Sequence, residues 1–226
     1  MPMVSATCTQ CGAALQVSSA KDTAVCNYCG TLFAWNQAIV NNGKEYFDVH
    51  AGILTKYNGS VENVVIPKGV FEIAARAFAG LTHLKRVTIP DSVLTIGEGA
   101  FWDCHNLAEV LIPSGVCAIR RNAFRETALE SVVIPGSVLE IEPCAFSDCI
   151  QLRSVTLEEG VKQIGIYAFA RCPSLSQIRV PKSLKAIHSN VFNWSHENVS
   201  LLCLHCGEKL TLPTPQCKNC SKPKDD

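Results

Sequence analysis

Net charge is the first thing this sequence lacks. Lys plus Arg and Asp plus Glu both number 20 in a chain of 226 residues, so the basic excess that phosphate contacts demand is missing. That balance argues against nucleic acid as a partner. No window approaches 18 uninterrupted apolar residues, which speaks against a membrane-spanning helix. The opening residues, MPMVSATCTQCG, show no positive segment followed by the apolar run of a secretory leader. The expectation is a cytoplasmic protein. Catalytic patterns are missing as well: there is no Ser, His and Asp in a nucleophile order, no glycine-rich phosphate loop and no paired-carboxylate motif, and the 6 histidines are scattered. The chain reads as non-enzymatic. What it does have is 47% hydrophobic residues against 18% charged, enough for a sizeable core, and 13 cysteines. In a reducing compartment so many cysteines read as metal ligands and small core residues rather than as a disulfide framework.

The middle of the chain repeats itself. Units beginning at Val61, Leu84, Leu107, Leu129, Leu152 and Leu175 follow one another at 23, 23, 22, 23 and 23 residues, a period far shorter than that of helical-pair repeats and within the leucine-rich repeat range. In LKRVTIPDSVLTIGEGAFWDCHN, Val87 and Ile89 alternate with Thr88, so the first two point inward and Thr88 outward along a short strand. Pro90 stops that strand because it has no N–H for the ladder. Val93, Ile96, Ala100, Phe101 and Cys104 form the apolar positions of the return. Six phenylalanines share one register, at Phe78, Phe101, Phe124, Phe146, Phe169 and Phe192, and stacking the units predicts an aromatic column in a continuous core.

The phrase LxxVxIPxxVxxIGxxAFxxC, repeated six times, resembles the BspA-like leucine-rich repeat family over about 150 residues. FDVHAGILTKYNGSVENVVIP (47–67) resembles the hairpin that often opens such arrays. The resemblance implies a parallel-strand solenoid, mainly β with irregular or short helical returns, and a protein-binding or adhesive role rather than an enzyme. The third unit is one residue shorter after its Phe and carries Thr127 where other units have Cys.

The cysteines sort into two kinds. Cys104, Cys149 and Cys172 stand three residues after their Phe, in the place of Leu81, Thr127 and Ser195 elsewhere, so the position wants a small buried group. Cys117 and Cys144 fall at variable positions. The other eight form four CxxC pairs: Cys8 with Cys11, Cys26 with Cys29, Cys203 with Cys206 and Cys217 with Cys220. Two residues between cysteines let both thiolates reach one ion, and two such knuckles supply a tetrahedral four-sulfur set. The N-terminal quartet resembles the zinc ribbon family, and the C-terminal quartet has a shorter spacer. One zinc ion at each end is expected, with iron equally suited to four thiolates. Seven strands about 4.8 Å apart span roughly 30 Å, so the two ions are expected to be separate. His205, inside a knuckle, reads as an exposed side chain.

These features divide the chain into an N-terminal zinc ribbon (1–35), a linker (36–46), a hairpin plus solenoid (47–200) and a C-terminal ribbon (201–226). Continuing the register from Val199 puts Leu202 and Leu204 inward and Cys203 outward on a seventh strand, with the knuckle closing the solenoid's end. The outward positions Val65, Thr88, Leu111, Val133, Thr156 and Arg179, flanked by Arg86 and Glu109, form the candidate face for a protein or peptide partner. Arg120, Arg121 and Arg125 make a positive spot that reads as a solvated edge. The leading reading is an interaction scaffold. A nucleic-acid-associated zinc ribbon protein and a zinc-dependent holdase are the alternatives.

Overall fold

The structure, a computed structural model, describes the backbone of residues 3–7, 14–18, 23–25 and 32–34 and the full residues 47–185, 187–193, 195, 199–211, 217 and 220. Near the N-terminus β1 (Met3–Thr7) pairs antiparallel with β2 (Ala14–Ser18), and β3 (Thr23–Val25) with β4 (Leu32–Ala34). A further hairpin joins β5 (Phe47–His50) to β6 (Ile53–Tyr57). From there each unit contributes one longer strand and one two-residue strand. The pairs are β7 (Asn63–Val65) with β8 (Glu72–Ile73), β9 (Arg86–Thr88) with β10 (Thr95–Ile96), and β11 (Glu109–Leu111) with β12 (Ala118–Ile119). Then come β13 (Ser131–Ile134) with β14 (Glu140–Ile141) and β15 (Ser154–Leu157) with β16 (Gln163–Ile164). The chain closes with β17 (Gln177–Val180), a 3₁₀ turn (Ser189–Phe192), β18 (Ser200–Cys203) and β19 (Lys209–Leu210).

The expected parallel solenoid is present, and its return segments are more regular than the sequence implied. The two-residue strands stack in register into a second sheet, ordered β16-β14-β12-β10-β8-β6-β5. They are too short to show a period of their own, so only the ladder reveals them. Between the two sheets lies the turn that each proline begins: Pro67, Pro90, Pro113, Pro135 and Pro181 cannot donate, but their carbonyls accept from Val70, Val93, Val116, Val138 and Leu184 N–H. Beyond the second sheet a third set of bonds runs from the Phe amides to the Ala carbonyls of the next unit, as in Phe78 to Ala100 and Phe101 to Ala123, both 2.8 Å. The turn also brings backbones together. A Cβ on Gly136 would lie 1.8 Å from the Glu159 carbonyl, and Gly160 opposite it has φ +120°, a conformation reserved for glycine.

The aromatic column is as read. Neighbouring rings of Phe78, Phe101, Phe124, Phe146 and Phe169 lie 4.9 to 5.5 Å apart, nearly parallel. Tyr57 and Phe47 extend the column into the opening hairpin. Cys104, Cys149 and Cys172 are fully buried beside it. Their S–H groups donate to the carbonyls of Phe78, Phe124 and Phe146 in the preceding unit at 3.0 to 3.2 Å. Ser195 does the same with its hydroxyl on the Phe169 carbonyl, while Thr127 donates within its own unit, to Phe124, whose carbonyl also accepts from Cys149. The position therefore selects a small donor, which explains why Cys, Thr and Ser exchange there.

Two features depart from the sequence reading. The long-strand sheet is interrupted: β7-β9-β11 and β13-β15-β17-β18-β19 form separate ladders. The interruption falls directly after the shortened unit, which has one residue fewer between Phe124 and Leu129. The second departure corrects the last strand. Leu201 pairs with Ile178 and Cys203 with Val180, so Leu201 and Cys203 point inward and are buried, while Leu202 lies outward beside Arg179. The ladder keeps its 23-residue step, whereas counting from Val199 slips by one, and a one-residue slip exchanges the faces.

Candidate metal centre and sheet face

The inward register of Cys203 places its thiol at the end of the solenoid core. Cys206 follows on a tight turn in which Gly207, at φ +73°, lets Gly207 N–H reach the Cys203 carbonyl at 2.9 Å. The chain then returns as β19, antiparallel to β18, so β18 no longer offers a bare edge. The second knuckle brings Cys217 and Cys220 onto the first. Cys203 and Cys220 sulfurs are 3.7 Å apart, Cys206 and Cys217 sulfurs 3.5 Å, and all four lie within 4.8 Å of one another. Four sulfurs at about 2.3 Å around a tetrahedral zinc would sit about 3.8 Å from each other, so the donor set and its dimensions fit such an ion. Burial alone would raise the Cys203 thiol, but the backbone amides of Cys206 and His205 outweigh it and hold the group down to about 7. Within the same cluster Cys217 is pushed up, chiefly by the Glu208 carboxylate, and Cys220 is pushed up, chiefly by its bond to Cys206. Four thiolates would leave no open position for substrate, so an ion held there would be a structural one.

His205 is exposed, as read, and its Nε2 lies 2.7 Å from Glu159 Oε1. Cys8, Cys11, Cys26 and Cys29 lie outside the described residues. By sequence, the first pair falls in the connection between β1 and β2 and the second in that between β3 and β4.

The sheet register sets the candidate residues in two rows, one on each side of the interruption. Val65, Thr88 and Leu111 are in line across β7, β9 and β11, and Val133, Thr156 and Arg179 across β13, β15 and β17. Leu111 is 71% exposed, the most open large hydrophobic side chain among the described residues, and it borders the interruption in the sheet. Arg86 and Glu109 are paired with each other at 2.6 Å. Thr156 is half-buried. The arginine spot is largely satisfied internally. Arg120 pairs with Glu142, and Arg125 pairs with Glu126 and Asp148 while lying over the Trp102 ring.

Two groupings escaped the sequence reading. Phe71, Leu94, Cys117 and Leu139 form an exposed row beside the short-strand sheet; its signal was in the alignment of units, where these positions looked merely variable. Asp103, His105 and Glu126 converge from adjacent units. There His105 bonds Asp103 Oδ1 and the Glu126 carbonyl, and Trp102 and Arg125 hold the Glu126 carboxylate. Each group already has a protein partner.

The thiols give a direct test of this placement. Desolvation raises Cys104 to about 12 and Cys149 to about 11, and pushes Cys172 up as well. At pH 8 the exposed Cys117 should alkylate within minutes, while Cys104, Cys149 and Cys172 react only on unfolding, as read by peptide mass spectrometry. Because their folded values lie above the unfolded ones, their contribution to stability is full below about pH 9 and should decline as pH rises from 9 toward 12. Denaturant midpoints across that range would show it.

A model of the BspA type leucine-rich repeat region matches residues 55–126 and 117–205 in six copies. The leucine-rich repeat protein TpLRR of T. pallidum is 32% identical, with TM-score 0.57 and 70% of this chain and 84% of that one covered. A leucine-rich repeat protein from Bacteroides ovatus ATCC 8483 shares the fold at 22% identity and TM-score 0.58, over 87% of this chain and 51% of that one. The pneumococcal vaccine antigen PcpA is similar at 25% identity and TM-score 0.52, over 68% of this chain and 46% of its own. This chain thus spans about half the length of the latter two. No curated protein matches it. Among the described residues, no helix is long and apolar enough to cross a membrane.

Proposed function

Because the chain belongs to the BspA-type leucine-rich repeat family, we propose that it is a non-enzymatic scaffold whose long-strand sheet face holds a protein or peptide partner. The observation that carries this reading is two aligned rows of outward side chains, Val65, Thr88 and Leu111 on one ladder and Val133, Thr156 and Arg179 on the next, with Leu111 standing out at the border between them. Stacked parallel strands give a rigid, extended surface at no ordering cost on binding. Aliphatic side chains set among Arg86, Glu109 and Arg179 suit a partner with apolar anchors and polar flanks.

The same proposal assigns structural zinc to both cysteine quartets. The C-terminal one is supported by its four convergent sulfurs, the N-terminal one by its spacing. Metal analysis of reduced protein should give two zinc ions per chain and no visible iron absorbance. The proposed compartment is the cytoplasm, where the thiols stay reduced.

The test of the face compares partners retained by the wild type, by Leu111→Glu and by Leu139→Glu. A partner lost only with Leu111→Glu, and weakened about 30-fold or more when titrated as a purified protein, is the expected result, the size expected of a central anchor. Equal retention by all three would place the binding surface elsewhere.

A further inference from the structure

The two knuckles of the C-terminal centre are not held together by their cysteines alone. We propose that Glu159 and Lys182, on the turns after β15 and β17, are positioning residues for the metal centre, so that its affinity is set partly by the solenoid beneath it. This inference rests on the reading of the four cysteines as a metal site.

Each knuckle is gripped by a different one of these residues. Glu159 is itself fixed first: its Oε1 accepts from Lys182 N–H at 2.9 Å and its Oε2 from Ser183 N–H at 3.3 Å. On that platform its Oε1 also meets His205 Nε2 at 2.7 Å, and His205 lies between Cys203 and Cys206. Burial tends to raise the Glu159 carboxyl, yet these bonds keep it below its ordinary value. The second knuckle is held by Lys182, whose ammonium donates to the Cys220 carbonyl at 2.9 Å. Lys182 therefore reaches both knuckles, one through Glu159 and the other directly. Cys203 and Cys220 are separated by 17 residues in the chain, and the two repeat turns supply the frame that brings them together.

Charge points the same way. Four thiolates around a divalent ion leave a net of about −2. The Glu208 carboxylate, 3.0 Å from Cys217 Sγ, adds to that burden. The Lys182 ammonium offsets it on that same knuckle, at Cys220. These contacts are partly exposed, so as isolated ion pairs they contribute little to folding. Their effect falls on the metal, because holding the ligating residues in place from outside typically changes metal affinity by about 10–100-fold.

The experiment is zinc competition with a chromophoric chelator on the full chain, the C-terminal ion being identified as the one missing from a Cys203→Ser, Cys206→Ser variant. The variants are Glu159→Gln, Lys182→Met and Lys182→Arg, with Glu158→Gln as a control. Glu158 is the neighbouring carboxylate and bonds Gly136 N–H instead. Glu159→Gln and Lys182→Met should weaken that ion about 10–100-fold, with the melting temperature little changed. Lys182→Arg, which still donates to Cys220, should restore it, and Glu158→Gln should leave it alone. Unchanged affinity in Glu159→Gln and Lys182→Met would overturn the positioning role while leaving the metal site standing. Wild-type protein with no C-terminal ion would overturn both.

Discussion

Phe124→Ala should destabilise the solenoid by about 3–5 kcal/mol. Phe124 is fully buried at the middle of the aromatic column, with the Phe101 ring 5.2 Å away on one side and Phe146 5.2 Å away on the other. Truncation removes the burial of a whole ring, leaves a cavity and breaks two stacking contacts, each worth about 0.5–1.5 kcal/mol beyond area. A domain's whole stability is about 5–15 kcal/mol, so the change consumes a large part of it. The site has a second weakness. The long-strand ladder is already interrupted between β11 and β13, and Phe124 lies in the unit that links them. In a repeat array stability is a sum over units and their interfaces, so loss of this interface should also split the unfolding transition. Phe192→Ala is the internal comparison: its ring is only partly buried and its ring neighbour among the described residues, Phe169, is 6.3 Å away. That variant should lose much less. Calorimetric scans of the two variants check this, and equal losses would mean that the column is not the main source of cohesion.

Replacing Cys203 and Cys206 together by Ser should remove one metal ion per chain and uncover the end of the solenoid. Cys203 belongs to β18 and points into the core beside Leu201, and β19 depends on the turn at Cys206 to reach β18. Structural zinc in small knuckles contributes binding free energy directly to folding, about 10–16 kcal/mol in isolated fingers. Without it, the short β19 has little to hold it against β18. A bare strand edge and the exposed end of the core then invite edge-to-edge association. The expected results are a fall from two ions to one by plasma mass spectrometry, a lower melting temperature, and rising light scattering on warming. Unchanged metal content would show that these sulfurs are not ligands. A lost ion with unchanged stability would show that the centre is not a cap.

The core was legible because it is translational. A step of 22 or 23 residues repeats the same Val, Ile, Ala and Phe environment, so reading one unit reads them all. The grouping of Cys203, Cys206, Cys217 and Cys220 was legible for a different reason: two cysteines at a fixed local spacing announce a pair without a fold. The sheet face followed from alternation along each strand. Legibility ended where a feature depends on residues from different units. Asp103, His105 and Glu126 converge across one step, and Glu159 reaches His205 across 46 residues; no periodic pattern records such pairs.

The sequence by itself determined the repeat, its handover to a cysteine knuckle, the inward and outward rows of the first six long strands and the neutral charge that turns attention from phosphate to protein. Tertiary structure decided the rest. Ladder bonding, which tolerates no slip, turned Cys203 inward and made the centre part of the core's end. The long-strand sheet is interrupted between β11 and β13 while the short-strand sheet and the Phe column run on through the same step, and because backbone hydrogen bonds are short and directional, each ladder is decided pair by pair in the folded chain.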